Sequence, residues 1–149
     1  MALIEENSTH VLLADDDDDD YMVFSLAIEE LPIAVILTRA PNGEVLMEIL
    51  SEKHPDILFL DLNMPCKDGR QCIREIRANP KFDSLPVIIY TSIKHMQDIE
   101  LTYREGSNLY VVKPSNLSDL KNVLNKILLL NWKELLYYPT KEDFVLGPG

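Results

Sequence analysis

Short, continuously apolar runs rich in β-branched residues alternate along the chain with segments of helical period. The runs are Val11–Ala14, Ala34–Thr38, Ile57–Leu60, Val87–Tyr90 and Leu109–Val112. None alternates apolar with polar residues, the pattern of strands covered by helices on both faces. Between them lie stripes at helical spacing: Phe24, Ala27, Ile28 and Leu31, then Val45, Leu46, Ile49 and Leu50. Cys72, Ile73 and Ile76 follow, then a weaker set of Met96, Ile99 and Tyr103. The last and strongest is Leu117, Leu120, Leu124, Ile127 and Leu128. Pro55 and Pro86 stand just before strands, and Gly106 follows the fourth helix where a C-terminal cap belongs. Five β-α units in strict alternation predict an α/β fold, a doubly wound five-stranded parallel sheet with right-handed crossovers.

After about Leu130 the pattern changes, and Trp132, Leu135, Leu136, Tyr137 and Tyr138 precede Pro139 and a polar tail. This divides the chain into a main domain over 9–130 and a C-terminal helical extension and tail over 131–149, whose end packs back or meets a partner. Met22, Met47 and Met96 read as ordinary packing.

Composition narrows the function classes. The 149 residues suit one domain, and a hydrophobic fraction of 46% supports a core. The formal net charge is -11, with an unbroken acidic run from Asp15 to Asp20. Such a surface repels phosphates, so neither nucleic acid nor an anionic membrane is an expected partner. The start, MALIEENSTH, carries no signal-like apolar stretch, and no segment nears the roughly 20 apolar residues that span a bilayer. A soluble, cytoplasmic protein is expected. Cys66 and Cys72 have neither disulfide nor metal-site spacing and read as reduced thiols, Cys72 packed inside. His10, His54 and His95 are scattered and receive no ligand role.

The chemistry should lie outside the carboxyl ends of the strands. The first strand is followed by Asp15 and Asp16, the third ends at Asp61, the fourth leads to Thr91 and Ser92, and the fifth to Lys113 and Pro114. Three carboxylates, a hydroxyl and an ammonium therefore converge on one sheet edge. Crowded carboxylates repel one another unless a cation offsets them. Hard oxygen ligands without His or Cys select Mg²⁺ over zinc, with Mn²⁺ tolerated. Lys113 offers a point charge for a phosphoryl group, Thr91 a hydroxyl donor, and a carboxylate can be the nucleophile that forms an aspartyl phosphate. A lone Asp pair is usually a solvated turn; the set at successive strand ends carries the argument. Asp17 to Asp20 read as acidic residues that cap a helix and favour its macrodipole, although Asp17 could touch waters of a metal. The run is no EF-hand loop, since Ala27 stands where a bidentate Glu belongs.

The segments VLLADD (11–16), ILFLDLNMPCKDG (57–69), VIIYTS (87–92) and YVVKP (110–114) resemble, in order and spacing, the receiver domain of bacterial response regulators of two-component systems. The resemblance covers roughly residues 9 to 130 and implies a flavodoxin-like fold of strand order 2-1-3-4-5. It implies Asp61 as phosphoacceptor, with Mg²⁺ bound by Asp61, directly by Asp16, mostly through water by Asp15, and by the backbone carbonyl of Asn63. Lys113 would pair with Asp61 and then its phosphate, Thr91 would move to bond the phosphate, and Tyr110 would rotate inward behind it as a switch. A cis Lys113–Pro114 bond is also implied. Ser115 departs from the family, where an aromatic residue is frequent, and the Asp run exceeds what the metal site needs.

The function expected is a stand-alone response regulator taking a phosphoryl group from a sensor histidine kinase or histidine phosphotransfer protein. It would catalyse only its own phosphorylation and dephosphorylation and signal through a partner. A Mg²⁺-dependent phosphohydrolase with an aspartyl nucleophile is the enzymatic alternative, but Asn63 stands where its general acid belongs. A pseudo-receiver docking module is the third, yet every required residue is present. The length and aromatic extension look like the single-domain regulators associated with phytochrome-type kinases. The apolar extension also predicts a homodimer through the last helix and C-terminal segment.

Overall fold

The computed structural model describes residues 8–130, 132 and 139–146. Its parallel sheet contains β1 (Thr9–Ala14), β2 (Val35–Ala40), β3 (Ile57–Leu60), β4 (Val87–Thr91), β5 (Leu109–Val112) and β6 (Val145–Leu146). The order is β2-β1-β3-β4-β5-β6, the expected five strands plus a sixth beside β5. The helices are α1 (Asp18–Glu29), α2 (Gly43–Glu52), α3 (Gly69–Ala78), α4 (Met96–Arg104), α5 (Leu117–Leu128) and the single turn α6 (Lys141–Phe144).

Strand residues alternate between two cores because successive side chains point to opposite faces. One face gathers Leu12, Ala14, Leu58, Leu60, Ile89 and Tyr110 beneath residues of α2 and α3. The other gathers Val11, Leu13, Phe59, Tyr90 and Val111 beneath α1 and α5, including Phe24 and Leu124. Here Phe24 meets Phe59 and Tyr90 edge-on, with centroids 5.2 and 5.4 Å apart. Both faces are covered, which is why the strands read as unbroken apolar runs.

Local capping sets the helix starts. Asp17, Asn42 and Asn116 accept backbone N–H bonds from the first turns of α1, α2 and α5, and Asp68 forms a reciprocal capping box with Gln71 on α3. Gly106, at φ 94°, ends α4 in the left-handed region that the cap requires. Cys72 is fully buried, and burial pushes its thiol up to about 11, while Cys66 is exposed. Met22 and Met96, expected to pack, are instead 61% and 64% exposed. On α4 the buried positions are Ile99 and Thr102, one turn further into the helix than Met96.

Helix α5 ends at Leu128, with Leu129 as its C-cap; of the extension expected over 131–149, residues 131, 133–138 and 147–149 lie outside the described residues. Trp132 is half-buried and donates from Nε1 to the Ile127 carbonyl at 3.0 Å. Leu135, Leu136 and Tyr137 lie outside the described residues. From Pro139 the chain lies against α4 and β5: Phe144 is fully buried, and Val145 and Leu146 pair with Tyr110 and Val111.

Arg77 ties the elements together at the opposite end of the sheet from the strand carboxyl ends. Its guanidinium donates to the carbonyls of Gly106, Phe82 and Leu85 at 2.7–2.8 Å and to Asn108 Oδ1 at 2.9 Å. Asn108 Oδ1 also accepts the Val87 N–H. Truncation would leave several of these acceptors unpaired. Arg77→Ala should therefore lose about 2–4 kcal/mol, read as a lower urea midpoint, and Arg77→Lys should recover little because it lacks the planar fork.

Candidate functional site

Each strand of the sheet centre delivers one polar residue where its apolar run stops. The Asp15 N–H bonds the Ala40 carbonyl at 3.0 Å, the Asp61 N–H the Ala14 carbonyl at 2.9 Å, and the Lys113 N–H the Thr91 carbonyl at 2.9 Å. Ladder geometry thus fixes four site residues relative to one another. The loop after Asp61 is anchored by buried Leu62 and Met64 and returns through Gly69, whose N–H bonds the Leu62 carbonyl at 2.9 Å. A Cβ on Gly69 would collide with the Asp61 carbonyl, so this close approach requires glycine. Tertiary structure gives a job to the glycine that closes the motif after Asp61.

Asp15 is fully buried, Asp61 and Thr91 nearly so, and Asp16 is exposed. The Lys113 ammonium reaches Asp61 Oδ2 at 3.0 Å and Asp15 Oδ2 at 2.8 Å. It also reaches Asp20 Oδ2 at 2.7 Å, a contact that reading Asp20 as a helix-start charge alone did not foresee. Asp20 is the third residue of α1, and helical side chains tilt toward the helix start, which aims it back at the strand ends. Position in the first turn does not by itself single it out, since Asp18 and Asp19 share it. Arg39 is a second residue missed: Nε donates to the Asp15 carbonyl at 3.1 Å and Nη1 pairs with Asp18 at 2.8 Å, holding the turn from β1 into α1.

The charges are out of balance. Burial raises the Asp15 pKa against the opposing pull of Lys113 and the Asp17 N–H, which donates to Asp15 Oδ1 at 3.0 Å. Burial alone would lower the Lys113 pKa, but the neighbouring carboxylates of Asp15, Asp20 and Asp61 raise it on balance. Asp15 Oδ2 is buried, and Lys113 approaches it as an ion pair without the alignment of a hydrogen bond. The carboxylates of Asp15, Asp16 and Asp61 offer oxygens that all lie within 4.8 Å of one another. An under-bonded buried oxygen within an all-oxygen cluster fits a hard divalent cation.

The remaining expected residues gather at the same edge. Asn63 N–H lies 3.4 Å from Asp61 Oδ1, and Ile93 N–H 3.4 Å from Thr91 Oγ1. Tyr110 is fully buried, its hydroxyl donating to the Ile93 carbonyl at 2.7 Å, so its ring already points inward. The Lys113–Pro114 bond is trans rather than cis, there being no cis peptide among the described residues. Trans is the lower-energy form of such bonds by about 0.5–1 kcal/mol, and the three carboxylates hold the Lys113 ammonium in place without the cis turn.

Residues 11–125 match the response regulator receiver domain. The chain belongs to that family. It is 34% identical over 92 residues to response regulator Rcp1 of Synechocystis sp., a match spanning 62% of each chain. It is 31% identical over 121 residues to two-component response regulator ORR12 of Oryza sativa subsp. japonica, covering 81% of this chain and 99% of that one. Among solved structures, the Mn²⁺-bound form of Rcp1 superposes with a TM-score of 0.74 at 28% identity, covering 89% of this chain and 99% of that one. The phosphorylated cyanobacterial phytochrome response regulator RcpA gives 0.73 at 27% identity, covering 80% and 91%. This receiver domain therefore shares its sheet order with structures of response regulators. No helix among the described residues is long and apolar enough to cross a membrane.

The exposed acidic residues of the run differ in whether they belong to the oxygen cluster. Asp16 belongs to the cluster, whereas Asp19 is exposed on α1 outside it. In a calorimetric titration with Mn²⁺, Asp16→Ala should weaken binding by about tenfold or more, the scale of a lost charge-assisted ligand, and Asp19→Ala by less than about twofold. Equal losses would show that the cluster is not the site.

Proposed function

We propose that this receiver domain is a phosphoacceptor switch, loaded on Asp61 with Mg²⁺ bound beside it, and that it passes the signal on through a partner protein. The observation that carries this reading is the Lys113 ammonium held 3.0 Å from Asp61 Oδ2, beside an all-oxygen cation cluster. Donors would be a sensor histidine kinase or a histidine phosphotransfer protein. The domain would catalyse only its own loading and unloading.

The chain's residues divide the work. Lys113 pairs with Asp61 Oδ2, while Asp61 Oδ1 has, among the described residues, the long 3.4 Å contact from Asn63 N–H. Oδ1 is thus the oxygen free to attack phosphorus. The P–N bond of a phosphohistidine breaks as the P–O bond to Asp61 forms, and the imidazole leaves with the nitrogen electron pair. Asp15, Asp16, Asp61 and the Asn63 carbonyl would hold Mg²⁺, which offsets the negative charge of the transferring group. Lys113 then follows the phosphoryl oxygens, and Thr91 donates its hydroxyl to them. Tyr110, bonded through Ile93 to the Thr91 side of the site, reads that movement.

With Mg²⁺ and acetyl phosphate, intact mass should show one added phosphoryl group, and Asp61→Asn none. Lys113→Ala should remain folded enough to bind cation but load on the order of 100-fold more slowly, since a positioned charge at the reacting centre is lost. Labelling that persists in Asp61→Asn would place the acceptor elsewhere.

Leu129 and Leu130, exposed at the end of α5, support the further expectation of a homodimer through this end of the molecule. Sedimentation should show a dimer that dissociates on dilution; a monomer throughout, phosphorylated or not, would refute it.

A further inference from the structure

We propose that Phe144, carried on the segment Pro139–Leu146, is a positioning residue for the phosphoacceptor site: it holds Tyr110 inward from the outside, so that docking of this segment and phosphorylation favour each other. The inference rests on the reading of Asp61 as acceptor and of Thr91 and Tyr110 as switch.

Four kinds of contact place the segment on the face that carries Tyr110. Val145 pairs in register with Tyr110 itself, and Leu146 with Val111, so β5 is not the sheet edge. The Phe144 ring is fully buried, 6.1 Å from the Tyr110 ring and 5.0 Å from that of Tyr103. Tyr103 also donates its hydroxyl to the Pro139 carbonyl at 3.0 Å. Lys141 pairs with Glu100 on α4 at 2.7 Å. The segment is thereby fastened to α4 at its start and to β5 at its end.

A continuous set of contacts runs from Phe144 to the site. Tyr110 packs on Phe144, its hydroxyl holds the Ile93 carbonyl at 2.7 Å, and the Ile93 N–H faces Thr91 Oγ1 at 3.4 Å. For the Tyr110 ring to swing outward it must enter volume that Phe144 fills. Docked segment and outward Tyr110 are therefore mutually exclusive. Inward Tyr110 goes with Thr91 turned to the phosphoryl group, so whatever stabilises one stabilises the other, and the coupling is reciprocal. The segment can respond because it is slight: one helical turn and two strand residues give little stability of their own, which places docking at the readily opened end of the fold.

The test uses the whole chain with Mg²⁺ and beryllofluoride, a stable stand-in for the phosphoryl group. Amide exchange at residues 144–146 and beryllofluoride affinity are measured together. In the wild type the probe should slow exchange there by about fivefold or more, the lower end of ordinary allosteric coupling. Phe144→Ala should speed exchange and weaken beryllofluoride by a similar factor, whereas Phe144→Leu, which keeps most of the apolar bulk, should restore both. Tyr103→Phe removes the Pro139 bond without touching Tyr110 or the site, and should lower protection and affinity in the same proportion. It serves equally if Phe144→Ala fails to fold. Exchange that quickens in these variants while beryllofluoride affinity stays within twofold would overturn the coupling. A wild-type protein that binds no beryllofluoride would overturn the acceptor reading and the coupling with it.

Discussion

One ammonium is shared by three carboxylates at the strand ends: Lys113 lies within 3.0 Å of oxygens from Asp15, Asp20 and Asp61. Much of what surrounds it follows from the cost of that arrangement. Each buried ion forfeits hydration worth several kcal/mol even after relaxation, and attraction recovers it only where the geometry is good. The polypeptide supplies the geometry through the parallel ladders, which set Asp15, Asp61 and Lys113 at fixed offsets, and through the Asp17 N–H and Arg39 on the turn into α1. A single positive charge cannot balance the carboxylates gathered there. The excess negative charge suits a hard divalent cation, and under the proposed function that cation would offset the charge of a phosphoryl group on Asp61.

The two faces of the sheet carry different neighbours of the site. Tyr90 and Tyr110 sit on adjacent strands and point to opposite faces, as strand alternation requires. Tyr90 closes an aromatic cluster with Phe24 and Phe59, and the Lys113 ammonium lies 5.4 Å from its ring centroid, a cation–π contact that steadies the lysine from below. Tyr110 instead joins the face on which α4 and the C-terminal segment meet. The residue beneath the Lys113 charge and the proposed switch residue Tyr110 thus lie on opposite faces of the sheet.

The strands and the residues at their ends were legible in the sequence because both depend on local pattern, whereas the strand order came from the family resemblance. A strand buried on both faces must be apolar throughout, so the place where it turns polar marks its end, and the end of a parallel strand marks the site. Phe24, Ala27 and Ile28 faced inward as their spacing predicted; Met96 did not, because α4 buries the next turn instead. Methionine spacing on a weakly amphipathic helix carries too little information to fix which face turns inward.

What sequence could not supply were the contacts between distant elements. Asp20 looked like any acidic residue in a first helical turn, and only the approach of α1 to β5 turned it into a partner of Lys113. The sixth strand is two residues long, too short for any periodicity, and exists because Phe144 finds a hydrophobic seat between Tyr103 and Tyr110. Chain pattern alone determined the five-strand frame and the chemistry at its edge, since each is written in consecutive residues. Tertiary structure decided which charges share Lys113 and what covers Tyr110, because those energies arise only when residues far apart in the chain are brought together.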